Sequence, residues 1–248
     1  MTSNRFFVSK ASIDFPSVFL EEDEHHHLSK VARVKVKEKV WLFDEEGTSY
    51  LAQVAEIQRE KTRLLILEKT EPEKPKVQII LGQALINSKK MDFILQKSTE
   101  LGALGFIPVI SERSVVKVNK KIEKKIERWH KVALEAAKQC RTSVVPWISA
   151  PIPLKNLVEE RKDAKKLLLS ENRGKYLKDT LITKPESQSK ETPPSVIILV
   201  GPEGGWTEEE ENSALAHGYE AISLGKNILR AETAAICALA MISHFWNL

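Results

Sequence analysis

Ser195-Val-Ile-Ile-Leu-Val200 runs without a break into Gly201-Pro-Glu-Gly-Gly205-Trp206. A β-branched apolar run that stops at a glycine cluster reads as a buried strand ending in a loop. Thr207, with Glu210 three residues on, supplies a capping box and opens a helix expected to reach His217. Strand, glycine loop and helix in that order form half of a βαβ unit, which makes the chain α/β with a mainly parallel sheet. In such sheets ligands bind beyond the carboxyl ends of the strands, where this loop must lie.

The loop's chemistry narrows the ligand. Glycines permit close backbone approach and commonly serve phosphates. This loop, however, lacks the Lys-Ser/Thr of a P-loop, does not fit G-x-G-x-x-G, and carries Glu203, whose charge repels phosphate. A flat nucleoside with a positive charge suits it better, and S-adenosylmethionine, whose sulfonium is cationic, has that character. The competing reading is a tight strand-to-helix turn with no ligand. A second stretch, Leu224-Gly-Lys-Asn-Ile-Leu-Arg-Ala-Glu-Thr-Ala234, again follows an apolar strand and opens the last helix. Backbone groups at Leu224, Ile228 and Leu229 can read an adenine edge, while Thr233 caps the helix or touches ligand at its positive end. The plain alternative for Arg230 and Glu232 is a surface ion pair with a helix cap.

On either side of these stretches, Val77–Leu81, Phe106–Ile110, Lys166–Leu169 and Ala221–Leu224 read as further strands, and Lys90–Leu101, Ile122–Arg141 and Glu232–Trp246 as helices. The polar stretch from Lys178 to Pro194, with three prolines, reads as a long loop. Lys69-Thr-Glu-Pro-Glu-Lys-Pro-Lys76 sets two prolines among charges and marks a boundary. Before it, Val40–Phe43, Tyr50–Val54 and Thr62–Leu67, separated by turn-like residues, suggest a small β-barrel. The expected domains are therefore residues 1–72 and 73–248.

Composition excludes several classes. The 248 residues are 42% hydrophobic, enough to bury a core, and no apolar run approaches the roughly 20 residues that cross a bilayer. A cytoplasmic protein is expected. Cys140 and Cys237 are distant and form no C-x-x-C, so reduced core thiols are expected rather than disulfides or zinc. His25-His26-His27 lacks ligand spacing and accompanying donors, so no metal is expected. From Ser111 to Val145 ten Lys or Arg face four Glu, whereas residues 1–75 hold twelve basic and fourteen acidic side chains. That local excess suits a polyanion such as RNA, the alternative being a solvated helix face.

Gly201-Pro-Glu-Gly-Gly205 with Leu224-Gly and Ile228-Leu-Arg-Ala-Glu-Thr-Ala234 resembles the SPOUT superfamily of S-adenosylmethionine-dependent RNA methyltransferases, and within it the RsmE family. Further matching stretches are Arg5-Phe-Phe-Val8, His27-Leu28 with Arg33, Lys97-Ser-Thr-Glu-Leu-Gly102, Ile107-Pro108, Ser111-Glu-Arg-Ser-Val-Val116, and Glu135-Ala-Ala-Lys-Gln139 with Arg141 and Pro146. They cover nearly the whole chain in order. Ala32 and the length of the 178–194 segment depart from the family pattern. The resemblance implies a PUA-like barrel followed by an α/β domain with a deep trefoil knot, a homodimer, and methylation of uracil N3 in 16S ribosomal RNA. It places the donor against Leu169, Ser170, Val200, Gly201, Pro202, Glu203, Gly204, Gly205, Leu224, Gly225, Ile228, Leu229, Arg230, Thr233 and Ala234.

Uracil N3 must lose its proton to attack a methyl group, so a base and a stabiliser of oxygen charge are needed. Glu203 or Glu232 are the candidates for the first role and Arg113 or Arg230 for the second, with Arg113 able to act across a dimer. Arg5, Arg33, Lys35, Arg113, Lys117, Lys121, Lys124, Arg128 and Arg141 are the candidate RNA contacts, and Trp129 and Trp147 candidate stacking groups. Two other functions compete: a methyltransferase of the same superfamily acting on transfer RNA or a ribose 2'-hydroxyl, and an RNA-binding assembly factor without activity.

Overall fold

The computed structural model of the chain describes residues 4–72, 75–114, 122–160, 164–182 and 195–247. By packing, the chain divides into two compact units: Met1–Lys74 with Leu134–Val145, and Pro75–Ala133 with Pro146–Leu248. Leu134–Val145 thus cluster with the N-terminal residues, although they lie well beyond the proline-rich boundary.

The first unit holds β1 (Arg5–Phe7), β2 (Ile13–Asp14), β3 (Ser17–Glu21), α1 (Glu22–His26), β4 (Lys39–Phe43), β5 (Ser49–Ile57) and β6 (Lys61–Thr70). The strands form one sheet in the order β1-β4-β5-β6-β3-β2. Residues of β5 alternate, so Tyr50, Ala52 and Val54 are buried and their neighbours are not. Phe6 near one end of the sheet and Val18 near the other share a single core cluster with Leu42, Val54 and Leu64. Only a curled sheet brings both ends to one core. The Asp44 carboxylate fixes the β4–β5 turn, accepting from the N–H of Glu46 and Thr48 at 3.0 and 2.9 Å and from the Tyr50 hydroxyl at 2.9 Å. Burial and this bond to Asp44 push the Tyr50 phenol up to about 12. Lys138 pairs with Glu24 and Glu135. Burial opposes its charge, but the two carboxylates outweigh it and hold the ammonium above the usual lysine range.

The second unit comprises β7 (Gln78–Ala84), α2 (Ser88–Glu100), β8 (Gly105–Ile110), α3 (Ile122–Cys140, its last turns in the first unit), β9 (Trp147–Ile148), β10 (Ile152–Pro153), α4 (Leu154–Glu160), β11 (Lys165–Leu169), β12 (Lys175–Tyr176), α5 (Leu177–Ile182), β13 (Ser195–Val200), α6 (Glu208–Ala216), β14 (Glu220–Ser223) and α7 (Ala231–Asn247). Its sheet runs β10-β8-β7-β13-β11-β14-β12, with β9 beside β8, and every pairing is parallel. Central strands β7 and β13 are covered on both faces, which explains their unbroken apolar runs.

The long helices and strands expected from the sequence form, with ends shifted by a few residues. The short β9, β10 and β12 and the helices α4 and α5 were not expected. Lys178–Ile182, assigned above to a loop, is helical because Leu177 is buried and starts a turn packed against α7. The rest of that segment, 183–194, lies outside the described residues. The sheet order has one functional consequence. Strand β11 sits between β13 and β14, so the loops leaving these three strands are side by side.

Candidate active site

Those three loops enclose a cavity of about 440 Å³, within the range of small-molecule sites. Its walls are the 200–206 loop, the 223–231 segment with Ala234, residues 169–172, and the side chains of Lys90, Arg113 and Glu211. Of the residues expected to hold the donor, all but Thr233 line it. Thr233 is exposed on the first turn of α7.

The glycine loop is held from four sides. Gly205 N–H closes a turn onto the Pro202 carbonyl at 3.0 Å, and Gly205 takes φ +67, a conformation that disfavours any side chain. The Trp206 indole N–H donates to the Leu169 carbonyl at 3.1 Å, joining the end of β11 to this loop. Arg113 Nη1 donates to the carbonyls of Gly204 and Trp206 at 2.8 and 3.2 Å. Beneath, the fully buried Gln83 amide donates toward the carbonyls of Val200 and Gly201 at 3.4 and 3.3 Å. The expected capping box is present: Thr207 Oγ1 accepts from Glu210 N–H and Glu210 Oε2 from Thr207 N–H. The other Glu210 oxygen takes the Glu112 N–H at 2.8 Å, bringing the chain after β8 to the same corner. Backbone groups held this way form a rigid wall rather than a loose turn.

Charge in the cavity is organised around a residue the sequence reading did not single out. Lys90, on the first turn of α2, places Nζ 3.1 Å from Glu203 Oε1 and 3.5 Å from Glu232 Oε2. The hydrogen bond and attraction of Glu203, with a smaller contribution from Glu232, hold its ammonium above the ordinary lysine range. Glu203 lines the cavity; Glu232 stands behind Lys90, more deeply buried. A lysine at a helix start reads as solvated in sequence. The available signal was its place, six residues past Ala84 at the carboxyl end of β7 beside β13.

Other candidates have internal duties. The Ser170 hydroxyl donates to the buried Glu211 carboxylate at 2.7 Å and accepts from the N–H of Asn172 and Arg173, and Arg173 Nε donates to the same carboxylate at 2.7 Å. Ser170 therefore faces a ligand with its backbone. Arg5 is consumed inside the first unit: it donates to the Arg141 carbonyl and, at 2.9 Å, to Ser49 Oγ, and stacks on Phe43. Burial lowers its pKa, against a smaller opposing effect of Cys140. Arg128 pairs with Asp92. Arg33, Lys35, Lys124 and Arg141 are exposed, and Arg230 is exposed at the cavity. Lys117 and Lys121 lie outside the described residues. Trp129 is buried and belongs to the core; Trp147 packs one edge of its ring against Gly105, where an added Cβ would meet it at 2.3 Å, and is otherwise 42% exposed. His25 bonds Thr62 Oγ1 at 2.8 Å, and His27 packs edge-on to Phe6.

The glycine-backbone cradle and the cavity at the strand ends lie within residues that match an RNA methyltransferase domain, and most of the curled β sheet within residues that match a PUA domain. An RNA methyltransferase domain model matches residues 72–243, and an RNA methyltransferase PUA domain model residues 20–67. The chain is 31% identical over 245 residues to the ribosomal RNA small subunit methyltransferase E of Bacillus subtilis, covering 97% of this chain and 96% of that protein. The Mesomycoplasma hyopneumoniae protein of the same name is 32% identical over 236 residues, with 95% and 96% covered. The crystal structure of the Neisseria gonorrhoeae protein of that name, bound to S-adenosyl methionine, superposes with a TM-score of 0.85 at 32% identity over 98% of both chains. The chain belongs to the ribosomal RNA small subunit methyltransferase E family.

Proposed function

We propose that this chain transfers a methyl group from S-adenosylmethionine to N3 of a uridine in 16S ribosomal RNA. The observation that carries the reading is the cavity in which a braced glycine loop and the Leu224–Ala234 segment meet with Glu203 on the wall. The residues suit the donor. Close backbone at Gly204 and Gly205 leaves room for a flat nucleoside, and the Glu171 carboxylate favours a cation at the wall, whereas the charge of Glu203 is paired with Lys90. S-adenosylmethionine supplies, when bound, an electrophilic methyl group on positively charged sulfur.

The chain's own residues do the rest. Uracil N3–H lies on the Watson–Crick edge, so the base must be unpaired or turned out to reach the cavity. Glu203, which faces the cavity, takes the N3 proton, a role that Glu232 is less well placed to fill. Arg230, exposed at the cavity, meets the charge that develops on the uracil oxygens. Arg113 holds the loop in place through two carbonyls. Arg33, Lys35, Lys124 and Arg141, with Lys117 and Lys121, bind phosphates, so affinity for RNA falls as salt rises. The same reading takes the second unit as knotted, the molecule as a cytoplasmic homodimer, and residues 1–72 and 73–248 as its two domains.

A methyl group on N3 blocks Watson–Crick pairing and stops reverse transcription. Primer extension on 16S rRNA from cells with and without the gene tests the proposal: a single stop opposite a uridine should disappear on deletion and return with the intact gene. An unchanged pattern of stops contradicts it.

A further inference from the structure

Resting on the reading just given, we infer that Lys90 is a positioning residue for methyl transfer, orienting Glu203 from an anchor on Glu232. Three elements meet there. Lys90 comes from the loop-proximal turn of α2, Glu203 from the glycine loop after β13, and Glu232 from the first turn of α7.

The arrangement runs against local preference. Lys89 and Lys90 occupy the first turn of α2, which has no acidic residue, so two cations sit at the positive end of a helix. A helix built only for stability would reverse that charge. Local rules tend to be broken where a site requires it. Here the displaced ammonium reaches two carboxylates that arrive from elsewhere in the sequence. Glu232 Oε2 is buried and makes no hydrogen bond among the described residues, so the Lys90 ammonium 3.5 Å away is its charge partner.

The physical role follows from the order of the three groups. Two carboxylates converging on one point repel each other unless a cation lies between them. Lys90 supplies that cation, and its protonated state is reinforced by Glu203. Glu232, the least exposed of the three, fixes the ammonium; the ammonium fixes the Glu203 carboxylate by the shorter contact of 3.1 Å. Without Lys90 the Glu203 side chain, on a loop at the rim, is free to turn to solvent, and the uracil proton loses an oriented acceptor. A base held within a narrow range of geometry is worth far more than a mobile one.

Lys90→Met and Lys90→Arg test this, with turnover, KM for RNA, donor affinity by calorimetry and melting temperature measured on each. The expected result for Lys90→Met is a fall in kcat of about 30-fold or more, with donor Kd and KM within about threefold; Lys90→Arg, which keeps the charge, should recover at least about a third of wild-type kcat. Combining Lys90→Met with Glu203→Gln should be little worse than Glu203→Gln alone, because both act through one carboxylate. A Lys90→Met protein with near wild-type kcat overturns the inference. So does one whose donor affinity and melting temperature fall in step with kcat and which arginine does not rescue, since that is a structural role. An inactive wild-type protein on unmodified 16S rRNA would instead sink the function on which the inference rests.

Discussion

The indole N–H of Trp206 and the carbonyl of Leu169 are joined at 3.1 Å, so the loop leaving β13 is tied to the end of the neighbouring strand β11. Trp206 is also buried beside Gly201, where an added Cβ would meet the indole nitrogen at 3.3 Å. One side chain therefore sets the spacing of two cavity walls. Trp206→Phe retains most of the packing and leaves the Leu169 carbonyl without its donor. It should cost about 1–3 kcal/mol of stability and weaken donor binding about 5- to 20-fold, read by chemical denaturation and calorimetry. Unchanged donor affinity would mean the walls hold their spacing without this bond.

Glu203→Gln separates binding from chemistry. The amide keeps the shape of the side chain but cannot take a proton. Turnover should fall about 10²- to 10⁴-fold, with donor affinity changed by less than about threefold. Glu232→Gln, behind Lys90, should lose less. Full turnover in Glu203→Gln would remove Glu203 from the role of base.

Gly174 takes φ +121, and a Cβ there would lie 2.5 Å from the Ala221 carbonyl oxygen. The obstacle is backbone of β14, which cannot move aside without disturbing the sheet beside the cavity. Gly174→Ala should therefore cost at least about 2 kcal/mol, a drop in Tm of roughly 4–8 °C for a protein of this size. A calorimetric scan decides it; an unchanged Tm would show that the strand can shift.

Tyr50 links stability to alkaline pH. Its folded value of about 12 lies above the ordinary 10.0, so the native state keeps the phenol protonated where the unfolded chain ionises. That contribution is complete below about pH 10 and is lost as pH rises toward about 12. Denaturant midpoints of the wild type should fall over that window more steeply than those of Tyr50→Phe. At neutral pH the same variant, which strips a donor from buried Asp44, should be less stable by about 1–3 kcal/mol.

Much of this site is legible in the residues because its signals are local. The Ser195–Val200 run, the glycines at 201, 204 and 205 and the Thr207–Glu210 capping box each declare themselves within a few positions. Lys90 could not be read in that way, since its meaning depends on carboxylates more than 100 residues away that only the parallel sheet order brings near. The same holds for Arg113, drawn to Gly204, and for Ser170, whose hydroxyl is spent on Glu211. Two-residue strands such as β9 and β12 carry too little periodicity to announce themselves, and Lys178–Ile182 lies in polar sequence whose helix depends on packing of Leu177. Arg5 reads as a surface cation until Phe43, Ser49 and the Arg141 carbonyl surround it.

The most direct measurement is methyl transfer by the purified protein from labelled S-adenosylmethionine to 16S rRNA and small subunits lacking the modification, with digestion to nucleosides and identification of the labelled product. Label is expected in N3-methyluridine alone, at a single position, with transfer by Glu203→Gln strongly reduced. Label in a 2'-O-methylated nucleoside or another base, or no transfer despite RNA binding, would contradict the proposed function.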